Sequence, residues 1–452
     1  MSARSRHITA VLARHALAGT WHAHLGLAPA PRRRAAFAHE WLLAFTELGP
    51  AFIKLGQLIS VRSEEFSREL VDEMQGLQDS VPPLPVADIR RVIGRAFGRA
   101  PEQLFATFDD TPIASASIAQ VHGATLAADV RPVWGETLPA GGEVVVKVIR
   151  PGAAEAILAD LAEARRLLAR VKRLGLLARV DLARLLDEFE ASVRRELDLR
   201  IEAHIADRFA FDFREDEKVE VPRIVWARTV REVLTMERIV GWRLTDLAEA
   251  DRAGIDAKAL AIYGATAFMR QVMVYGRFHA DLHPANLFVT PRNTIAYLDF
   301  GIVGHLTAEE MEDVAQVLAA LVYRDADRAL RYSERLGVHV PPEKVPVVKR
   351  ELGELLDSVL GPSGPRSFRH FGVGFLQLLR RNDLEIPTGY GLLVKSLATV
   401  EGCARSLYPD IDIIDTARPF VTRLLSNAMG RPDRLEERIP AAVRAALREL
   451  VE

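Results

Sequence analysis

The sequence predicts an α+β protein, predominantly helical and built as two lobes with a cleft between them. Three observations carry this. Apolar residues recur at helical spacing through 40–78, through two Leu-, Ala-, Arg- and Glu-rich stretches at 153–174 and 181–211, and through most of 308–452. Short strand-like runs interrupt them at 111–125, 142–149, 219–226 and 230–239. Inside the second helical region, two apolar pieces at 287–290 and 294–298 flank Pro291-Arg292-Asn293, the spacing of a small hairpin. The order is a helical extension, a small mixed sheet with helices, then a larger helical unit carrying one hairpin.

Taken along the chain, residues 1–39 form a basic arm: Arg4, Arg6, Arg14, Arg32, Arg33 and Arg34 all precede Glu40, the first acidic residue. Ile8, Val11, Leu12, Leu17, Trp21 and Leu25 fall at loosely helical spacing, which suits either an anionic membrane surface or a solvated first helix. Residues 40–110 read as a helical extension broken at Gly49-Pro50 and ended by Val81-Pro82-Pro83-Leu84-Pro85. A helix follows over 86–97, and another opens at Pro101, where proline suits a first turn. Residues 111–240 hold the sheet with two inserted helical stretches, and 241–452 the larger helical unit, with turns at Gly337, Gly361 and Gly430.

Composition narrows the function. The 452 residues are 49% apolar, with 59 Lys+Arg against 61 Asp+Glu and a net charge of -2, so no bulk field favours nucleic acid. A single cysteine, Cys403, excludes an intrachain disulfide and a cysteine metal cluster. Uncharged apolar runs such as 314–323 and 371–379 are about half of the ~20 residues a membrane span needs. No transmembrane helix is expected.

The chemistry lies in His279-Ala280-Asp281-Leu282-His283-Pro284-Ala285-Asn286, followed after the hairpin by Asp299-Phe300-Gly301. An Asp, an Asn five residues later and an Asp-Phe-Gly thirteen beyond that is the spacing of a kinase catalytic loop and its magnesium turn. A carboxylate there orients or deprotonates the phosphoryl acceptor, while an amide oxygen and a second carboxylate hold Mg²⁺ against the phosphates. Asp281 is then the base or orienter, and Asn286 and Asp299 the metal ligands. His279 and His283 lie four apart, but Pro284 ends any helix that would align them on zinc, so they are expected to hold the loop by hydrogen bonds.

A phosphate-anchoring lysine belongs in mid-strand, and Val145-Val146-Lys147 places Lys147 there. The chain has only eight lysines against 51 arginines, and a lysine in an apolar strand needs a carboxylate partner. Glu196, Asp198 and Glu202 on the following helix are the candidates. Where a glycine-rich phosphate loop would stand, the chain has Pro112-Ile113-Ala114-Ser115-Ala116-Ser117-Ile118-Ala119-Gln120-Val121-His122, with no glycine. Alanine does not readily take positive φ, so this loop must cover a nucleotide in a stiffer shape.

On these residues the chain resembles the UbiB (AarF) family of atypical protein-kinase-like proteins, linked to coenzyme Q biosynthesis. Lys54-Leu55-Gly56-Gln57 matches the family's Lys-x-Gly-Gln signature, with Arg62 and Gln78-Asp79-Ser80 after it. Residues 114–117 match its alanine-rich loop, Ser115 departing from alanine, and Glu196-Leu197-Asp198 its Glu-x-Asp element. Ala280 and Leu282 stand where Gly and Pro are frequent, and His204 where Asn is frequent. The resemblance spans about 42–304.

The resemblance implies a two-lobed protein-kinase-like fold whose Lys-x-Gly-Gln helices pack over the active-site cleft. Lys54 and Gln57 would face the Glu-x-Asp helix and the nucleotide phosphates, with one of Glu196 and Glu202 on Lys147 and the other on Lys54. It implies ATP and Mg²⁺ as cofactors, with backbone groups around Met236 and Glu237 meeting the adenine edge. It further implies a lipid or quinone-precursor small molecule, quinone-biosynthesis proteins and a membrane surface as partners. Many bacterial relatives carry C-terminal membrane helices, whereas this chain stops in a charged, amphipathic segment. Either it is a cytoplasmic member, peripheral at the inner face of the membrane, or that part lies beyond it. The Arg and Ala bias points to a high-GC bacterium. No Ala-Pro-Glu element follows Gly301, so ATP hydrolysis or phosphorylation of a small or lipid-like molecule is expected over a Ser/Thr protein kinase, while Asp281, Asn286 and Asp299 argue against the other rival, a nucleotide-gated scaffold without turnover.

Overall fold

The computed structural model describes residues 3–24, 30–60, 66–74, 76–77, 81–173, 182–245, 247 and 254–429. Arg62, Gln78-Asp79-Ser80, Gly430 and the C-terminal segment lie outside these. The chain divides into two compact units, one of residues up to Ala210 together with Pro222–Arg238, the other of Phe211–Val221 together with the residues from Ile239.

The first unit opens with α1 (Ala3–His24), α2 (Ala30–Leu48), α3 (Pro50–Ser60) and α4 (Arg68–Met74). Gly49, at φ 93, makes the bend that separates α2 from α3. The basic arm is partly spent internally: Arg4 donates to both oxygens of Asp160 at 2.6 Å and to the Leu48 carbonyl, and Arg14 pairs with Glu47. Ile8 and Val11 are buried in α1 while Leu17 and Trp21 are exposed.

Helix α5 (Val86–Phe97) and the single turn α6 (Pro101–Leu104) lead into an antiparallel sheet, β1 (Phe105–Ser115), β2 (Ala119–Leu126), β3 (Glu143–Ile149) and β5 (Val233–Glu237), in the order β1-β2-β3-β5. The strand expected at 111–125 is thus a hairpin that begins at Phe105. Mostly outward-facing residues of β1, including Asp109-Asp110, hid its first half from a hydrophobicity reading. Along β3 the period of two puts Val144, Val146 and Val148 in the core against Ile89, Val92 and Ile93 of α5. Lys147 therefore points to the opposite face.

After β3 come α7 (Ala153–Arg173), α8 (Leu182–Glu196) and α9 (Leu199–Asp212). The helical stretch expected through 181–211 is broken at Leu197-Asp198. Leu197 is buried there, the Leu199 N–H bonds the Arg231 carbonyl, and the Asp198 carboxylate accepts from the Arg200 N–H at the mouth of α9. Of the strand signals at 219–226 and 230–239, only β4 (Val219–Glu220) and β5 form, separated by a 3-10 turn at Trp226–Arg228.

The second unit holds β4, which pairs parallel to β9 (Ile295–Tyr297) in a sheet ordered β4-β9-β8-β6, with β8 (Leu287–Val289) and β6 (Trp242–Arg243). The β8–β9 hairpin is the one expected, turning at Asn293 with φ 57. A second pairing, β7 (Arg277–His279) with β10 (Val303–His305), was too short to read in the sequence. The helices are α10 (Ala257–Met273), α11 (Ala308–Tyr323), α12 (Ala326–Arg335), α13 (Val345–Leu360), α14 (Phe368–Arg381), α15 (Thr388–Leu407) and α16 (Ile413–Met429). Among the described residues no helix is long and apolar enough to cross a membrane.

Candidate functional site

In the first unit, Lys147 stands in mid-strand between Val121 of β2 and Leu234 of β5. Its ammonium donates to Glu202 Oε1 at 2.9 Å and Oε2 at 2.7 Å. Both side chains are mostly buried, 21% and 11% exposed, so neither charge is well solvated without the other. Lys54 on α3 takes the other glutamate, with 2.7 Å from its ammonium to Glu196 Oε2. The break at Asp198 makes this division possible, since it puts Glu196 at the end of α8 and Glu202 in the first turn of α9. Asp198 itself pairs with the Arg200 side chain at 2.8 and 2.6 Å, which holds its carboxyl below the usual carboxylate range.

Gln57 donates its amide to the Leu77 carbonyl over a long 3.5 Å. Gly56 is required by packing, since a Cβ there would lie 2.2 Å from Leu77 Cδ1 and 2.9 Å from both Met74 Sδ and Phe45 Cδ2. His204, the departure noted above, stacks on Trp226 with centroids 4.5 Å apart.

The turn 114–117 closes the β1–β2 hairpin, with the Ala116 N–H bonded to the Ala119 carbonyl at 2.9 Å and no positive φ among its residues. Ser115 supplies a contact that alanine lacks: its hydroxyl accepts from Arg150 Nη1 at 2.9 Å. The same guanidinium donates to the Ala116 carbonyl at 3.3 Å and the Pro82 carbonyl at 3.1 Å. The Val81 N–H bonds the Ser115 carbonyl, and the Gln120 side chain accepts from the Leu84 N–H at 2.9 Å. The proline segment is therefore tied along the candidate nucleotide cover by Arg150 and Gln120. Sequence reasoning passed over both; Arg150 was one arginine among 51, and Gln120 carried no signal of its own.

At the end of β5, the Glu237 N–H donates to the Arg223 carbonyl at 2.9 Å and the Arg238 N–H to the Glu143 carbonyl at 3.1 Å. Arg223 also grips the Glu237 carboxylate, and Met236 is buried. These two N–H groups are thus already spent on protein carbonyls.

In the second unit, the hairpin register sets the end of the candidate loop 279–286. Leu287 lies opposite Tyr297, so Asn286 comes opposite Leu298, and the Leu298 N–H bonds the Asn286 carbonyl at 3.1 Å. Asp299 follows directly, and its Oδ1 accepts from the Gly301 N–H at 2.8 Å. The Ala280 N–H bonds the Ile302 carbonyl, which ties the start of the loop to the residues after Asp-Phe-Gly. His279 is fully buried; its Nε2 bonds the Asp299 carbonyl, and burial pushes its pKa down, so it is a neutral donor. His283 Nδ1 accepts from the Ala285 N–H at 3.2 Å and caps the turn Pro284–Asn286. Both histidines thus brace the loop.

Asn286 and Asp299 are half-buried and offer an amide oxygen and a carboxylate, the hard oxygen donors Mg²⁺ prefers. Among the described residues no group of three or more His, Cys, Asp and Glu gathers as a metal cage. Asp281, half-exposed, has a partner that the sequence did not announce: Lys395 on α15, with 3.3 Å from its ammonium to Asp281 Oδ1. Cys403, also on α15, is buried, and burial pushes its thiol up to about 12, so it stays protonated.

Residues 76–333 match the ABC1 atypical kinase-like domain and 373–412 the UbiB helical domain. A probable protein kinase UbiB of Marinobacter nauticus is 34% identical over 395 residues, covering 86% of this chain and 70% of that one. Its counterpart in Azotobacter vinelandii is 35% identical over 414 residues, covering 88% and 74%. The structure of Rv3197 from Mycobacterium tuberculosis, solved in complex with erythromycin, aligns at TM-score 0.51 and 22% identity over 80% of this chain and 90% of that one, which is a likeness of fold. The chain belongs to the ABC1/UbiB family of atypical kinase-like proteins.

Proposed function

We propose that the protein is an ATP- and Mg²⁺-dependent phosphoryl-transfer enzyme of the UbiB type, acting at a membrane surface in support of isoprenoid quinone biosynthesis. The observation that carries this is the hairpin register that brings Asn286 and the Leu298-Asp299 strand end opposite one another. Asn286 and Asp299 would hold Mg²⁺, which would neutralise phosphate charge. Lys147, fixed by Glu202, anchors the phosphates. Residues Ala114, Ser115, Ala116 and Ser117 cover them, and Met236 and Glu237 border the adenine. Lys54, held by Glu196, and Gln57 complete the phosphate end, with Asp198 setting the helix break that separates the two glutamates.

In the transfer, Asp281 orients an acceptor hydroxyl or water and takes its proton. The new oxygen–phosphorus bond forms as the bridging oxygen–phosphorus bond breaks, ADP leaves, and the proton passes on to solvent.

The UbiB relatives are named probable protein kinases, and a protein substrate is the second reading. What favours water or a small acceptor is the segment after Gly301: residues 303–305 pair at once with β7, and α11 begins at Ala308. That leaves no room for the long activation segment on which a kinase docks a peptide.

The test is magnesium-dependent phosphate release from ATP by the full chain, with and without anionic liposomes and a quinone-headgroup phenol, beside Lys147→Ala and Asp299→Asn. Release that rises with liposomes and is lost in both variants supports the reading. Protein-bound phosphate that Asp299→Asn abolishes supports the protein kinase instead. Tight ATP binding with no release under any condition leaves a nucleotide-gated scaffold.

A further inference from the structure

We infer that Lys395 and Ser396 of α15 are positioning residues through which the C-terminal helical region holds the catalytic loop and fixes the Asp281 carboxylate. The inference rests on the reading of Asp281 as the acceptor-orienting group. Two adjacent side chains of one helical turn reach the same two residues of the loop. Lys395 Nζ lies 3.3 Å from Asp281 Oδ1, and Ser396 Oγ lies 3.2 Å from the Ala280 carbonyl.

The serine is buried, and its hydroxyl is shared between that carbonyl and the Leu392 carbonyl of its own helix at 2.8 Å. Ala280 is also tied through its N–H to the Ile302 carbonyl. Ala280, the residue before Asp281, is therefore held at both its N–H and its carbonyl, and the Asp281 side chain is held by Lys395.

Chemistry argues that the lysine is there for the loop. The ion pair is too exposed, with side chains 37% and 50% accessible, to add much stability. The chain otherwise avoids lysine, with eight in 452 residues. Three of those eight, Lys54, Lys147 and Lys395, pair with Glu196, Glu202 and Asp281, each a residue of the candidate machinery. The loop's own side chain two residues past Asp281, His283, is turned back onto the Ala285 N–H. A cation for Asp281 has to come from elsewhere, and α15 supplies it from 114 residues away.

A group that orients an acceptor acts on kcat, because holding reacting atoms in line is worth far more than the contact itself. The test uses the full chain with Lys395→Met, Lys395→Arg and Ser396→Ala, each first checked for an unchanged melting temperature. Two readouts are taken: kcat and KM for ATP, and amide hydrogen exchange across 277–287. Lys395→Met is expected to lower kcat roughly 10- to 100-fold with KM for ATP within about twofold. Lys395→Arg should recover most of the rate, and Ser396→Ala should speed exchange at 277–287. A kcat for Lys395→Met within about twofold of wild type, or a raised KM with kcat kept, overturns the inference. If the wild-type protein itself releases no phosphate, the phosphoryl-transfer reading fails on its own, and the exchange readout decides whether α15 holds the loop: unchanged exchange in both Lys395→Met and Ser396→Ala overturns it.

Discussion

Lys147 meets both oxygens of Glu202 at 2.9 and 2.7 Å while Lys54 meets Glu196 at 2.7 Å, so two glutamates six residues apart divide two lysines between them. Because Lys147 and Glu202 are mostly buried, removing one charge strands the other. Glu202→Gln is expected to destabilise the protein by about 1–3 kcal/mol and Glu196→Gln, whose carboxylate is 29% exposed, by less. Urea unfolding of the two variants checks the order, and a double-mutant cycle with Lys147→Met should return a favourable coupling only for Glu202.

Gly56 tests a different part of the Lys-x-Gly-Gln segment. An added methyl meets Leu77, Met74 and Phe45, all three buried. Gly56→Ala should therefore destabilise by about 1–3 kcal/mol despite the better helix propensity of alanine. Leu77→Ala in the same chain should recover part of the loss, because it removes the atom at 2.2 Å. Thermal melts of the single and double variants decide this.

The sequence made Lys147 legible because a β-branched run has one reading, a strand, and period two then forces its face. It made Asp281, Asn286 and Asp299 legible because their spacing is set by one short hairpin. The pairing of Glu196 with Lys54 was not legible, since it depends on the helix break at Asp198, where the chain reads as continuous helix. Lys395 and Arg150 were hidden for another reason. Their partners, Asp281 and Ser115, lie 114 and 35 residues away, and no local pattern marks a contact that only the folded chain creates.

Arg150 holds Ser115, Ala116 and Pro82 at once, so its loss should free the proline segment from the hairpin turn. Arg150→Ala is expected to raise amide exchange across 81–85 and 114–119, with a smaller rise for Ser115→Ala, which removes one hydrogen bond of about 1 kcal/mol. Exchange unchanged at 81–85 in Arg150→Ala would show that Gln120 and the Val81–Ser115 hydrogen bond carry the tie without Arg150.

His122 gives that tie a pH dependence. The ring is fully buried, donates through Nδ1 to the Asp109 carbonyl at 2.8 Å and accepts at Nε2 from the Gln120 amide at 2.9 Å. Burial pushes its pKa below the ordinary histidine value, against the pull of the Asp109 carbonyl and the nearby carboxylates. The unfolded chain therefore binds this proton first as pH falls, and stability present above about 6.5 is lost as pH drops through that value towards the folded pKa. Protonated Nε2 would also turn its N–H against the Gln120 amide and release Leu84. The expected outcome is a fall in unfolding free energy between pH 7.5 and 5.5 that is smaller in His122→Leu than in wild type, although the variant is less stable at pH 7.5. Equal losses in the two chains, measured by urea unfolding at both pH values, would mean that His122 is protonated as easily folded as unfolded.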